Sequence, residues 1–97
     1  MGILKIGKKL ISTQKNSIYI IAEAGIGHFG SLLLAKKLVN LAKASGADAI
    51  KFQAYLTEDL ISKTYSKWFN RYKSKEVDLD FFKKIHYYCK KKKLSFY

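Results

Sequence analysis

The order of apolar segments predicts an α/β fold with a parallel sheet, the opening part of a (β/α)8 TIM barrel. Three observations predict it. Ile20 to Gln53 holds an apolar strand ending in Glu23, a glycine-broken turn, an amphipathic helix stopped at Gly46, and a second strand carrying Lys51 and Gln53. A second helix follows, and Ser95-Phe96-Tyr97 has the composition of a third strand just beginning. A closed barrel takes roughly 250 residues. With 97, the chain covers two βα units and the start of strand 3, an incomplete barrel. The expected organisation is an N-terminal arm or hairpin over 1–17 and a partial barrel domain over 18–97.

Each element has its own signal. Ile3 to Ser12 has short apolar pieces around Gly7-Lys8-Lys9, a small hairpin or extended arm, and Thr13 to Ser17 is a polar connector. Ile18 to Glu23 is a near-continuous apolar run, the mark of a strand buried on both faces. Gly25 to Gly30 is a turn, and Ser31 is the expected N-cap of the helix that follows. Leu34, Leu38, Leu41, Ala35 and Ala42 fall on one helical face, with Lys36, Lys37, Asn40 and Lys43 on the other. Gly46 is the expected stop. From Ala47 to Ala54 the chain alternates, so Ala49, Lys51 and Gln53 share one face and Ile50, Phe52 and Ala54 the other. The apolar face is expected against the helices, and the polar face towards a ligand in the barrel mouth. The same parity puts Glu23 with Tyr19 and Ile21. Leu56 to Lys75 reads as a long loop, a length that is often functional. Asp78 or Asp80 then caps a second helix whose apolar side is Leu79, Phe82, Ile85 and Cys89.

Composition bounds the function classes. A hydrophobic content of 48% is enough for a core. Lys+Arg number 19 against 7 acidic residues, a net charge of +12. That balance fits either a solvated lysine surface or a site for anions or nucleic acid. Only Arg71 is arginine, and the lysines are scattered along helix faces. Bidentate base recognition leans on arginine, so the pattern favours a solvated surface over nucleic acid. The densest run, Lys90 to Lys93, sits at a helix end, where cations suit the macrodipole. Cys89 is the only cysteine, which excludes an internal disulfide and a cysteine metal site. No apolar h-region opens the chain, and no apolar run reaches the ~20 residues of a membrane span. A reducing cytoplasm without membrane attachment is expected.

The chemistry-bearing residues cluster at strand ends, where α/β folds place their sites. Gly25-Ile26-Gly27-His28-Phe29-Gly30 matches the dinucleotide fingerprint G-x-G-x-x-G, with Asp48 further on. The match fails on position. The acidic residue belongs at the carboxyl end of the second strand, and Asp48 stands at its start, while Glu23 would face a pyrophosphate with negative charge. Glu23 and Lys51 lie near the ends of adjacent strands. They read either as a buried structural ion pair or as an acid/base group beside an anion-holding cation. His28 in the turn reads as a hydrogen-bonded loop histidine or a ligand contact, His86 as structural or exposed. Trp68, Phe69 and Tyr72 read as packing or as a stacking surface.

Taken together, Ala22-Glu23-Ala24-Gly25-Ile26, His28, Gly30, Leu34-Ala35-Lys36-Lys37-Leu38, Ala42-Lys43, Gly46-Ala47-Asp48-Ala49 and Lys51-Phe52-Gln53 resemble the N-terminal region of the sialic acid synthase family. These are the N-acetylneuraminate synthases and their legionaminic and pseudaminic acid relatives. The resemblance runs more weakly through Asp59-Leu60 to Tyr97. It implies a transferase that condenses phosphoenolpyruvate with N-acetylmannosamine or a related N-acetylated sugar and releases phosphate. It implies a divalent metal, manganese or magnesium, held by histidines on later strands that this chain lacks, and a homodimeric parent. It assigns Lys51 to phosphoenolpyruvate, Gln53 to the sugar, Glu23 to catalysis near the acceptor, and His28 as a candidate substrate contact. Gly27 stands where the family usually has Asn, and Phe29 where a polar residue is usual, which bears on hydrogen bonding in the turn. The chain alone is expected to be inactive and, with unpaired sheet edges, prone to aggregate. The alternative reading is a small basic protein binding anions or nucleic acid.

Overall fold

The computed structural model describes residues 3–6, 9–12 and 18–97. The expected connector Thr13 to Ser17 and the Gly7-Lys8 turn lie outside the described residues. Strands β1 (Ile3–Ile6) and β2 (Lys9–Ser12) pair antiparallel, Ile3 opposite Ser12. Then come β3 (Ile21–Gly25), α1 (Leu32–Ala44), β4 (Ala49–Phe52), α2 (Thr57–Leu60), α3 (Ser66–Lys75), α4 (Leu79–Lys91) and β5 (Ser95–Phe96). β3, β4 and β5 form a three-stranded sheet in that order. Both pairings are parallel. With α1 and α4 as the crossovers, this is the two-and-a-fraction βα arrangement that opens a (β/α)8 barrel.

Helix boundaries follow from capping chemistry. The Ser31 Oγ accepts the Leu34 N–H (3.2 Å) at the start of α1. At its end the Gly46 N–H bonds Lys43 O (3.2 Å) and the Ala47 N–H bonds Ala42 O (3.1 Å). That is a Schellman motif, and it needs the left-handed φ of +86° that Gly46 adopts. Of the two candidate caps for α4, Asp78 is the one used: its Oδ1 accepts the Phe81 N–H at 2.9 Å. Asp80 instead pairs with Lys84 at 3.1 Å one turn on.

The core lies between the sheet and the two long helices. Ala35, Val39 and Ala42 of α1, Ile50 and Phe52 of β4, Ile85 and Cys89 of α4, and Leu94 are buried together. Ile50 and Phe52 thus face the helices, as the alternation predicts, whereas Ala54, past the end of β4, is exposed. Three expectations of burial are corrected. The Ile18 to Glu23 run is not buried on both faces: Ile18, Ile20 and Ile21 are 67%, 51% and 48% exposed. β3 is the sheet edge, paired within the described residues only with β4. On α1 the buried stripe is Ala35, Val39 and Ala42, while Leu34 and Leu41 are exposed. Small residues let the helix approach the sheet closely, so the leucines flank the contact. On α4, Leu79 is exposed in the first turn and Phe81 packs against the core beside Phe82.

Leu56 to Lys75 is not a loop but two helices, α2 and α3. They are pinned to one another by polar contacts at long sequence separation. The Thr57 N–H and Oγ1 both donate to Glu76 Oε1 (2.7 and 2.8 Å). Lys73 Nζ bridges Glu58 (2.8 Å) and Glu76 (3.2 Å). The Tyr55 hydroxyl donates to Tyr72 O at 2.6 Å, with the two rings edge to face.

Candidate active site

Two of the singled-out residues meet at the carboxyl ends of β3 and β4, and a third, Gln53, follows directly after β4. Glu23 and Lys51 are direct partners in the parallel register. Residues so paired point to the same face, and Lys51 Nζ lies 3.9 Å from Glu23 Oε2. Their side chains are 61% and 58% exposed. The buried ion pair that the sequence left open is therefore absent; both charges keep their water and remain available. Gln53 follows by parity on the same face and is exposed. Its backbone N–H donates to Gly25 O at 3.1 Å, which ties the two strand ends together.

The end of β3 is shaped to present Glu23. The register shifts between Glu23 and Gly25, a bulge of the kind that re-aims a side chain at a sheet rim. Gly25 then turns the chain at φ +54°, and a Cβ there would stand 3.5 Å from Glu23 Oε1. Glycine accepts that conformation without strain.

Asp48 stands at the opposite end of the same strand pair. Its Oδ2 accepts the Ile20 N–H at 2.8 Å, and its own N–H donates to Ile20 O at 2.8 Å. This clamps the amino-terminal ends of β3 and β4, the end opposite the one where the fingerprint needs the second strand's acid. The rejection of the dinucleotide fingerprint stands on that geometry.

His28 is not brought to this face. It is fully buried, its ring 5.0 Å from Phe81 and 6.1 Å from Phe52, among residues of the helix layer. Its Nδ1 accepts the Gly30 N–H at 2.8 Å. Burial holds its pKa below the ordinary value of 6.5. His86 is exposed and stacks on Phe96 at 5.0 Å. Trp68 is exposed beside Arg71, and Phe69 and Tyr72 are half-buried on α3. Several lysines lie over rings: Lys36 and Lys92 over Tyr88, and Lys91 over Tyr87.

A tyrosine pair also reaches this region, of which the sequence reading places only Tyr19. The Tyr97 N–H bonds Ile50 O and Tyr97 O accepts the Phe52 N–H, both at 2.9 Å, so Tyr97 lies beside Lys51. Its hydroxyl is 3.4 Å from that of Tyr19, a hydrogen bond across the sheet. Parity had placed Tyr19 with Glu23; counting on from Ser95 would have placed Tyr97 with Lys51. Among the described residues no group of three or more His, Cys, Asp or Glu side chains is arranged to hold a metal. No helix there is long and apolar enough to cross a membrane.

The sequence profile of the NeuB family matches residues 38–97. The chain is similar to an uncharacterized protein of Methanocaldococcus jannaschii, 42% identical over 88 residues, 91% of this chain and 26% of that protein. It is similar to the N,N'-diacetyllegionaminic acid synthase of Legionella pneumophila, 57% identical over 49 residues, 50% of this chain and 14% of that enzyme. Among solved structures, the N-acetylneuraminic acid synthetase of Leptospira borgpetersenii serovar Hardjo-bovis, in complex with citrate, is similar at a TM-score of 0.85 and 33% identity. That match covers 98% of this chain and 33% of the synthetase. The chain thus spans about a third or less of the relatives it matches.

Proposed function

The chain belongs to the NeuB family, and from that premise we infer that it forms the first part of the active site of a nonulosonic acid synthase. The proposed reaction joins carbon 3 of phosphoenolpyruvate to the aldehyde carbon of N-acetylmannosamine or a related N-acetylated sugar. Water adds at carbon 2, and the carbon–oxygen bond to phosphate breaks. Lys51 supplies a fixed cation to the multiply charged phosphoenolpyruvate. Gln53, with an amide donor and an acceptor, addresses the sugar's hydroxyl and N-acetyl groups. Glu23 is the carboxylate that manages a proton at the acceptor. The divalent metal belongs to the proposal only for the complete enzyme, with ligands outside this chain, as does the homodimer.

The single observation that carries this reading is the juxtaposition of Glu23 and Lys51 on one accessible face at adjacent strand ends, with exposed Gln53 tied by its backbone to the end of β3. An exposed acid beside an exposed cation contributes little to stability, so its placement asks for another reason. The test is a chimera in which this chain replaces the matching segment of the Legionella synthase. Phosphate release from phosphoenolpyruvate is measured with the acceptor sugar present. Glu23→Gln and Lys51→Ala are each expected to lower kcat/KM at least about a hundredfold, Lys51→Ala mainly by raising KM for phosphoenolpyruvate. A folded chimera that turns over equally well with either substitution sinks the assignment.

A further inference from the structure

The turn between β3 and α1 holds a polar side chain that the proposed reaction does not use. His28 is 0% exposed, and its Nδ1 is an acceptor, receiving the Gly30 N–H at 2.8 Å. A nitrogen that accepts carries no proton, so the neutral ring bears its proton on Nε2. Nε2 is buried and has no hydrogen-bond partner among the described residues. It lies in an aromatic slot between Phe52 and Phe81. Such a donor costs stability relative to an apolar ring of the same size, so packing alone does not explain a histidine here. The nitrogen that does bond is the one facing the turn.

The bond it makes is the histidine counterpart of an Asx-turn, side-chain acceptor at position i and backbone donor at i+2. It closes a turn in which Phe29 takes the left-handed φ of 51°, which a non-glycine side chain resists. The same turn is closed by the Ser31 N–H on His28 O at 2.9 Å. It joins Gly25, whose carbonyl receives Gln53 N–H and whose Cα hydrogen side faces the Glu23 carboxylate. A continuous path of contacts therefore runs from the core rings of Phe81 and Phe52, through the imidazole and the turn, to the two strand ends that carry the site.

We propose that His28 is a positioning residue: its Nδ1 bond to Gly30 locks the β3–α1 turn against the aromatic core and so sets the direction of Glu23 and the Gly25–Gln53 tie. This rests on the reading of Glu23 and Gln53 as site residues, and it gives His28 a role behind the site rather than contact with substrate. Two substitutions separate it from core packing. His28→Phe keeps the ring and its volume but removes the acceptor. His28→Asn gives up the ring but supplies Oδ1 at the right distance from the Gly30 N–H.

The readout is NMR on the dilute 97-residue chain without substrate, following the Gly30 and Gln53 amides and the Glu23 carboxylate carbon, alongside the melting temperature. His28→Phe is expected to move all three signals while melting close to the parent. His28→Asn is expected to melt lower but to keep the three signals at their parent positions. Parent signals in both variants, or displaced signals in both, overturn the proposal, because the acceptor would then not be what matters. If neither variant folds, nitrogen-15 histidine spectra of the unsubstituted chain decide. An unprotonated Nδ1 with a protonated Nε2 on His28 supports it, and a proton on Nδ1 overturns it. None of these signals depends on turnover, so failure of the chimera assay would leave this result standing, and the reverse.

Discussion

Glu23 and Lys51 differ from the buried residues around them in what they contribute. At 3.9 Å and more than half exposed, the pair is screened by water and contributes ~0.5 kcal/mol or less. Cys89 is the opposite case. It is fully buried, and burial pushes its thiol from an ordinary 9.0 up to about 11. Above pH 9 the unfolded thiol gives up its proton while the folded one keeps it, so the unfolded state binds fewer protons and stability falls as pH rises from 9 to 11. The expected loss is roughly 2 kcal/mol at most. Urea unfolding across that range, with Cys89→Val as reference to cancel lysine and tyrosine titration, checks it. A reference variant that loses stability as steeply as the parent would show that the thiol is not the cause. Asp48 shows what spacing cannot tell: about where a nucleotide fingerprint wants its acid, it is a strand clamp.

Helix ends are where sequence chemistry acts most directly. Ser31, Gly46 and the Asp78 cap each sit where their side-chain chemistry demands, because capping is local and needs no tertiary partner. The end of α4 repeats the Schellman pattern of α1: the Lys93 N–H bonds Lys90 O and the Leu94 N–H bonds Cys89 O. Here, however, the left-handed position, φ 57°, is held by Lys93 rather than glycine. Lys93→Gly is expected to stabilise the chain by ~1 kcal/mol, and Gly46→Ala to destabilise it by about the same amount. At Gly46 an added Cβ meets nothing within 4 Å, so the effect there is backbone strain alone. Chemical denaturation of both variants measures it, and equal midpoints for all three proteins would contradict it. The α2–α3 pair carries a loop-like sequence because what holds it is Thr57–Glu76 and Lys73–Glu58, contacts 19 and 15 residues apart that leave no periodic trace.

On the scale of the whole molecule, the three-stranded sheet has both edges unpaired among the described residues. β3 and β5 are the outer strands. Ile18, Ile20, Ile21, Leu34 and Leu41 are exposed along or near the β3 side. A shallow groove of about 220 Å³ runs there, lined by Ala22, Ala24, Leu38, Leu41 and Ile50. An edge with unpaired backbone and apolar side chains is a template for association, opposed by the net charge of +12. The 97-residue chain on its own is expected to be monomeric at low salt and to associate as salt screens the lysines. Sedimentation velocity across a salt series checks this. A monomer at high salt would mean that the exposed strand side is not adhesive.

By itself the sequence determined the order of the strands with α1 and α4, the Ser31 and Gly46 ends of α1, the face of β4 that carries Lys51, and the family. Each rests on local periodicity, local capping or a run of residues that recurs as a block. Only the tertiary structure decided which residues are covered. The Ile18 to Glu23 run is as apolar as a central strand, yet it lies at the edge because burial depends on what packs alongside. Val39 took the place that Leu34 and Leu41 promised, because the close approach of helix to sheet selects small side chains. The same holds at the site. Parity aimed Glu23 and Lys51 at one face, but their water-exposed 3.9 Å separation is a property of strand register. So is the burial of His28 behind them, fixed by Phe52 and Phe81 from elements far apart in the chain.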